Sequence, residues 1–170
     1  MRIILCDETY SHAILAIFND AIATSTALYD YEPRTPQVMA AWFEAKRQRS
    51  FPVLAAVDDA GQLLGFASYG EFRPHAGYKY TVEHSVYVAR EHRGRGLGQL
   101  LLAAIIDRAR EEGYRVMIGV IDAQNAGSIA LHERFGFTLA GTLREVGYKF
   151  DRWLDVCLYQ LVLEASEVAE

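Results

Sequence analysis

The 170-residue chain predicts an α/β (α+β) domain built on a single sheet. Three patterns predict it: two amphipathic helical stretches before residue 50, a β-rich middle broken by a turn signal, and a strand–glycine loop–helix passage leading into alternating short elements.

Each element has a local reason. From His12 to Ala23 the apolar residues Ile14, Ile17, Phe18, Ala21 and Ile22 recur at helical spacing and make one face. Residues Thr24 to Arg34 lose that pattern and gather small, aromatic and acidic side chains, which reads as a loop. Thr35-Pro36 supplies a capping hydroxyl and a proline for the first helical position. The helix it opens turns Met39, Trp42 and Phe43 inward and ends in the basic stretch Lys46-Arg47-Gln48-Arg49. Asp58-Asp59-Ala60-Gly61 is a turn between strands over Phe51–Val57 and Gln62–Phe72. Thr81 to Val88, rich in β-branched and aromatic residues, is another strand. A long helix carries Leu97, Leu100, Leu101, Ala104 and Ile105 and ends near Gly113, which suits a left-handed cap. Arg115–Ile121 is the nearly all-apolar run of a strand buried on both faces. A short helix around Ser128–Arg134 and strands near Phe137–Val146 and Trp153–Leu163 complete the order.

Composition narrows the class. Half the residues are apolar (51%) and 23% are charged, so the chain has material for one core, and residues 1–170 read as a single domain. No apolar run approaches the ~20 residues that span a bilayer, and the start turns acidic at Asp7-Glu8, unlike a secretion signal. The net charge of −5 argues against a general nucleic-acid binder. Cys6 and Cys157 are too few for a disulfide framework and read as small apolar fillers. His12, His75, His84, His92 and His132 show no metal-ligand spacing, so no metal is expected. A cytoplasmic protein without nucleic-acid or membrane partners is the resulting expectation.

The most informative segment is Arg93-Gly94-Arg95-Gly96-Leu97-Gly98-Gln99, between a strand and the long helix. Glycines let backbone N–H groups approach an anion, and the helix start adds its positive dipole end. The dinucleotide pattern G-x-G-x-x-G fails at Gln99 or Leu101, and no G-K-[ST] ends a P-loop. A phosphate or pyrophosphate fits the loop, and so does a plain glycine-rich turn with solvated arginines.

Arg93-x-x-Gly96-x-Gly98 resembles the R/Q-x-x-G-x-G/A signature of the GCN5-related N-acetyltransferases (GNAT). Asn125-x-x-Ser128, with Ala130-Leu131-His132 and Phe135-Gly136-Phe137, resembles the second coenzyme-contacting segment of that family. Ser25-Thr26-Ala27, Arg73, Gly77-Tyr78, the run Thr81–Val88 and Gly147-Tyr148-Lys149-Phe150 with Trp153 and Asp155 are similar to the phosphinothricin and methionine-sulfoximine acetyltransferase branch. The resemblance implies the GNAT fold, a mixed and mostly antiparallel sheet flanked by helices, with acetyl-CoA as co-substrate and a homodimer. It implies coenzyme binding by Val86, Tyr87, Val88, Arg93, Gly94, Arg95, Gly96, Leu97, Gly98, Gln99, Asn125 and Ser128.

Acetyl transfer to an amine needs a base for the amine proton and a donor for the oxyanion. Glu83 stands alone among apolar and hydroxyl-bearing neighbours, a pattern that fits an outward-facing carboxylate or a functional one; the resemblance assigns it as the base. An N–H of Val86–Val88 is implied as the oxyanion donor. His132 fits a satisfied core histidine and also a proton donor to the departing thiolate, the role the resemblance implies. For the acceptor, Arg73 offers a two-pronged grip on a carboxylate, in a loop shaped by Ala76, Gly77 and Tyr78, and Tyr29, with Asp30 and Tyr31, closes the site. Lys149, Trp153 and Asp155 read as architectural, with Trp153 filling core. The implied activity is transfer of acetyl to the α-amine of an amino-acid analogue. A protein N-terminus, a lysine or a polyamine as acceptor, and a non-catalytic acetyl-CoA sensor, remain the other readings.

Overall fold

A computed structural model describes residues 1–163. Seven strands form one sheet: β1 (Arg2–Leu5), β2 (Val53–Val57), β3 (Leu63–Glu71), β4 (Thr81–Val88), β5 (Val116–Asp122), β6 (Thr138–Lys149) and β7 (Arg152–Val162). Their spatial order is β1-β2-β3-β4-β5-β7-β6, and only the β4–β5 pair is parallel. The mixed, mostly antiparallel sheet matches the expectation.

Side-chain alternation sends each strand to two cores. On β2, Leu54 and Ala56 join the layer under α3 (Leu97–Glu111), whereas Val53, Ala55 and Val57 join the layer under α1 (Ser11–Thr24) and α2 (Pro36–Gln48). The α3 stripe Leu101, Leu102 and Ile105 is fully buried, as are Ile14 of α1 and Met39 of α2. The helix starts follow local chemistry: Thr35 Oγ1 accepts from Val38 N–H at 3.3 Å, and Asn125 Oδ1 caps α4 (Ala126–Arg134) from Ser128 N–H at 3.1 Å. Gly113 takes φ +79° just past α3, the cap its position promised.

Three expectations are corrected. The edge strand β1 was not anticipated: four residues at a chain start carry no turn signal, and the strand exists through its ladder to β2. Trp153 is 64% exposed rather than core, because β6 is the edge of the sheet and Trp153 pairs there with Tyr148, their rings 4.9 Å apart. Strand β5 is not buried throughout: Val120 is 45% exposed, because β4 and β5 stay paired only from Thr81↔Val116 to Glu83↔Ile118 and then part. Asp155 is architectural as read, accepting the N–H of Glu145 at 2.8 Å where β6 bulges. Cys6 and Cys157 are both buried and unpaired.

Candidate active site

The parting of β4 and β5 opens a cleft of ≈ 830 Å³, within the usual range for small-molecule sites. Its walls come from the end of β4, the glycine loop, β5, the start of α4 and the loop after α1. A smaller hollow of ≈ 490 Å³ lies elsewhere, lined by apolar Leu5, Phe43, Phe51 and Val53 with Asp7, Glu8, Thr9, Lys46 and Arg47 among its other residues.

One end of the cleft is built for an anion. Gly94 (φ +75°) and Gly96 (φ +79°) adopt the left-handed backbone that leads into α3, and no atom stands within 4 Å of where a Cβ would project. The loop therefore presents bare backbone beside the N-terminus of a 15-residue helix. His92 lines the same end, and its Nε2 is the one buried side-chain nitrogen or oxygen without a hydrogen-bond partner among the described residues. A buried orphan nitrogen beside open glycines fits an anionic group that would complete it. Arg93 donates from Nε to Val88 O at 3.1 Å, and Asp20 engages both Arg90 and Arg93.

Among the described residues β4 has no strand partner on its β5 side beyond Glu83, so the stretch through Val86, Tyr87 and Val88 is an internal sheet edge facing the cleft. Such an edge pairs with an amide-bearing chain.

Residues 14–137 match the Acetyltransferase (GNAT) family. The chain belongs to it. Among curated relatives, the L-methionine sulfoximine/L-methionine sulfone acetyltransferase of Pseudomonas paraeruginosa is 48% identical over 92% of this chain and 91% of its own. The phosphinothricin N-acetyltransferase of Alcaligenes faecalis is 37% identical over 91% and 79%. A GNAT phosphinothricin acetyltransferase from Sinorhizobium meliloti, crystallised with AcCoA, superposes with a TM-score of 0.93 at 31% identity, covering 99% of this chain and 91% of that one.

Within this GNAT cleft the side chains divide clearly. Glu83, His132, Val86, Tyr87, Val88, Arg93, Gly94, Gly96, Leu97, Gly98, Asn125, Ser128 and Tyr29 line it. Glu83 is open to solvent as a residue, yet atoms crowd its carboxyl, and that desolvation raises its pKa above the ordinary glutamate value. Arg95 and Gln99 are exposed and stand outside the lining; Arg95 instead lies 3.3 Å from His92 Nδ1. The structure does not bring Arg73, Ala76, Gly77 and Tyr78 to the cleft. They form the exposed β3–β4 loop, with Arg73 5.4 Å from the Phe72 ring and a single 3-10 turn at Ala76–Tyr78.

Sequence reasoning missed several groups. Asp122 is buried at the end of β5, where it accepts from Thr26 Oγ1 and from Gln124 N–H at 2.9 Å. Lys149 was not missed but is architectural as read: it is 4% exposed and spends its ammonium on the carbonyls of Ser25 and Leu28, at 2.8 and 2.7 Å. Together they pin the loop that carries Tyr29. Tyr29 itself lies on Gly147, where a Cβ would stand 2.5 Å from its ring. His84 and His92 also face the cleft. Their only sequence signal was being polar residues at a strand end and beside a glycine loop. Tyr31 donates its hydroxyl to Tyr148 O, so it ties the loop to β6 rather than entering the cleft.

Proposed function

We propose that this protein transfers the acetyl group of acetyl-CoA to the α-amine of a small amino-acid analogue of the phosphinothricin, methionine sulfoximine or methionine sulfone type. The observation that carries this reading is a carboxylate of raised pKa, Glu83, on the wall of a cleft whose other end is an open glycine cradle. The names of the relatives supply the acceptor class.

The residues divide the work. Backbone N–H groups at Gly94–Gly98 and the start of α3, with Arg93 and His92, hold a pyrophosphate. The open edge of β4 at Val86–Val88 aligns the pantetheine arm and offers an N–H to the oxyanion, while Asn125 and Ser128 border the arm from α4. Acetyl-CoA supplies an activated acyl group. Glu83 takes the ammonium proton, directly or through one water, leaving the amine free to attack; a raised pKa brings the carboxylate closer to that task. His132 gives a proton to the leaving sulfur. Tyr29 closes the acceptor side. Arg73 holds the acceptor carboxylate from the β3–β4 loop, a role that its place outside this cleft allows only through loop closure or a second copy of the chain.

We further propose a cytoplasmic, single-domain homodimer. Leu139, Leu143, Val146, Tyr148, Phe150 and Trp153 are all exposed on and around the β6 edge, a surface suited to a second subunit.

Free-thiol release from acetyl-CoA tests the reading, with phosphinothricin, methionine sulfoximine, methionine sulfone, ordinary amino acids, spermidine and a lysine peptide as acceptors. Turnover confined to the glutamate and methionine analogues is expected. Turnover on the peptide or spermidine alone overturns the acceptor class, and tight coenzyme binding with no turnover on any acceptor favours a sensing module.

A further inference from the structure

Where β4 and β5 part, a side chain takes over from the ladder. The last paired residues are Glu83 and Ile118, and the next residue, His84, places Nδ1 2.9 Å from the Ile118 carbonyl oxygen. Its Nε2 lies 2.9 Å from Nε2 of His132 on α4, whose Nδ1 is 2.7 Å from the Ser128 carbonyl oxygen. The rings are 8% and 7% exposed and both border the cleft. Gly119 leaves the room for them: a Cβ there would stand 3.1 Å from His84 Cε1 and 3.3 Å from His132 Cδ2.

The contacts constrain the hydrogen count. A carbonyl oxygen only accepts, so the two carbonyl contacts favour a hydrogen on each Nδ1. A neutral imidazole has one N–H, so two neutral rings would set bare Nε2 lone pairs against each other at 2.9 Å. Two other neutral arrangements exist: a hydrogen on His84 Nε2 leaves a bare Nδ1 facing the Ile118 carbonyl at 2.9 Å with no donor, and the second moves the His132 hydrogen to Nε2. It then aims a bare Nδ1 at the Ser128 carbonyl across 2.7 Å, with only the Ser128 hydroxyl, at 3.4 Å, as donor. The shorter contact, to an oxygen that cannot donate, makes this the poorer choice. One extra proton between the Nε2 atoms satisfies all four ring nitrogens.

Burial pushes the pKa of His84 down to about 3 and lowers that of His132, and charge on His132 further disfavours charge on His84. The four ring contacts must therefore hold the first extra proton against burial, and a second is disfavoured further still. The ionisable side chains on the surrounding elements include Glu83 and Tyr87 on β4, Tyr69 on β3 opposite His84, Asp122 on β5, Tyr159 on β7 opposite Gly119, and Glu133 and Arg134 on α4. None hydrogen-bonds to either ring; Asp122 is held by Thr26, and Glu133 accepts from Tyr159.

We propose that His84 and His132 hold one shared proton as a unit at neutral pH, with His84 as the positioning residue that fixes the orientation and protonation of His132. The pair then places a buried positive charge in the cleft wall as the thioester breaks, and its shared proton is the one His132 gives to the leaving sulfur, a proton from solvent restoring the pair afterwards. That catalytic consequence rests on the acetyl-transfer reading; the shared proton does not.

The test is ¹⁵N-imidazole NMR of the full chain from about pH 5 to pH 9, with His84→Gln kinetics alongside. In the wild type both Nδ1 signals should be of the protonated type and both rings should titrate with one common midpoint. His84→Gln should abolish that common midpoint, lower kcat by about 10–100-fold, the usual cost of losing an orienting partner, and shift its pH profile, while KM for acetyl-CoA stays within about 3-fold. Two rings neutral at pH 7, or separate midpoints, overturn the proposal, as does a wild-type kcat–pH profile in His84→Gln. Should that variant fail to fold, the wild-type spectrum decides alone. A shared proton in a protein with no acetyl transfer would overturn the functional reading and leave the pair standing.

Discussion

Gly65 stands on β3 opposite Val88, the last residue of the β4 edge that borders the cleft. A Cβ at Gly65 would lie 2.6 Å from the Tyr87 carbonyl oxygen, 3.1 Å from Val88 Cα and 3.2 Å from Leu101 Cδ1. Two of these three atoms are backbone, so no rotamer change relieves them. Restoring an ordinary 3.4 Å contact to the carbonyl oxygen requires β4 to move by about 0.8 Å. Gly65→Ala should therefore act twice. Overpacking of this kind costs about 1–3 kcal/mol, and for a chain of this size Tm falls by roughly 2–4 °C per kcal/mol. The same shift displaces the β4 edge proposed to align the coenzyme, and misplacement approaching 1 Å can cost about 10²-fold in rate. Thermal unfolding and the steady-state constants for acetyl-CoA measure both effects. A Tm within a degree of wild type, together with an unchanged KM and kcat, would show that β3 yields instead and that the position of β4 does not set coenzyme alignment.

The other predictions concern the cradle, the base and the loop anchor. Gly96→Val forces a β-branched residue to φ +79°, where left-handed backbone costs about 1–2 kcal/mol, and should raise the acetyl-CoA dissociation constant by about 10-fold in calorimetry. Glu83→Gln should retain coenzyme affinity and lose about 10²–10⁴-fold in kcat; unchanged turnover removes Glu83 from the mechanism. Because the folded-state pKa of Glu83 is raised, the folded chain binds more protons than the unfolded chain between the two pKa values. Its contribution to stability is present below the unfolded value and lost as pH rises through the folded one. Glu83→Gln should thus gain Tm at pH 7, while wild-type kcat falls on acidification through that same raised pKa. Lys149→Met removes two ammonium–carbonyl hydrogen bonds and should cost about 2 kcal/mol, with KM for the acceptor rising more than KM for acetyl-CoA; equal changes in both constants would break the link between Lys149 and the Tyr29 loop.

What the sequence made legible is what backbone chemistry dictates within a few residues. Thr35-Pro36 and Gly113 each act through neighbours three residues away or fewer, and each sits where its pattern placed it. The glycine loop is legible for the same reason, since the groups proposed to face the ligand are main-chain N–H and its residues declare themselves by lacking a Cβ. Strand β1 was missed because four residues carry no period of their own, and Trp153 because a large aromatic on an edge strand reads like one in a core.

The acceptor side obeys a different logic. Lys149 reaches the loop after α1 across 121 and 124 residues, Thr26 meets Asp122 across 96, and His84 meets His132 across 48. None of these partners stands in any local pattern with the other; each pair exists only once the sheet has brought β4, β5 and β6 past one another. Such long-range polar contacts are also the ones that most strongly specify a cleft, because a buried ammonium, carboxylate or imidazole without its partner is costly. The proposed coenzyme half of the site is thus written in local backbone, and the proposed acceptor half in tertiary contacts. Substitutions at Lys149, Thr26 or Asp122 should therefore change acceptor preference while leaving coenzyme affinity intact, and substitutions in the glycine loop should do the reverse. A Lys149 variant that lost acetyl-CoA affinity but kept its acceptor profile would contradict that division.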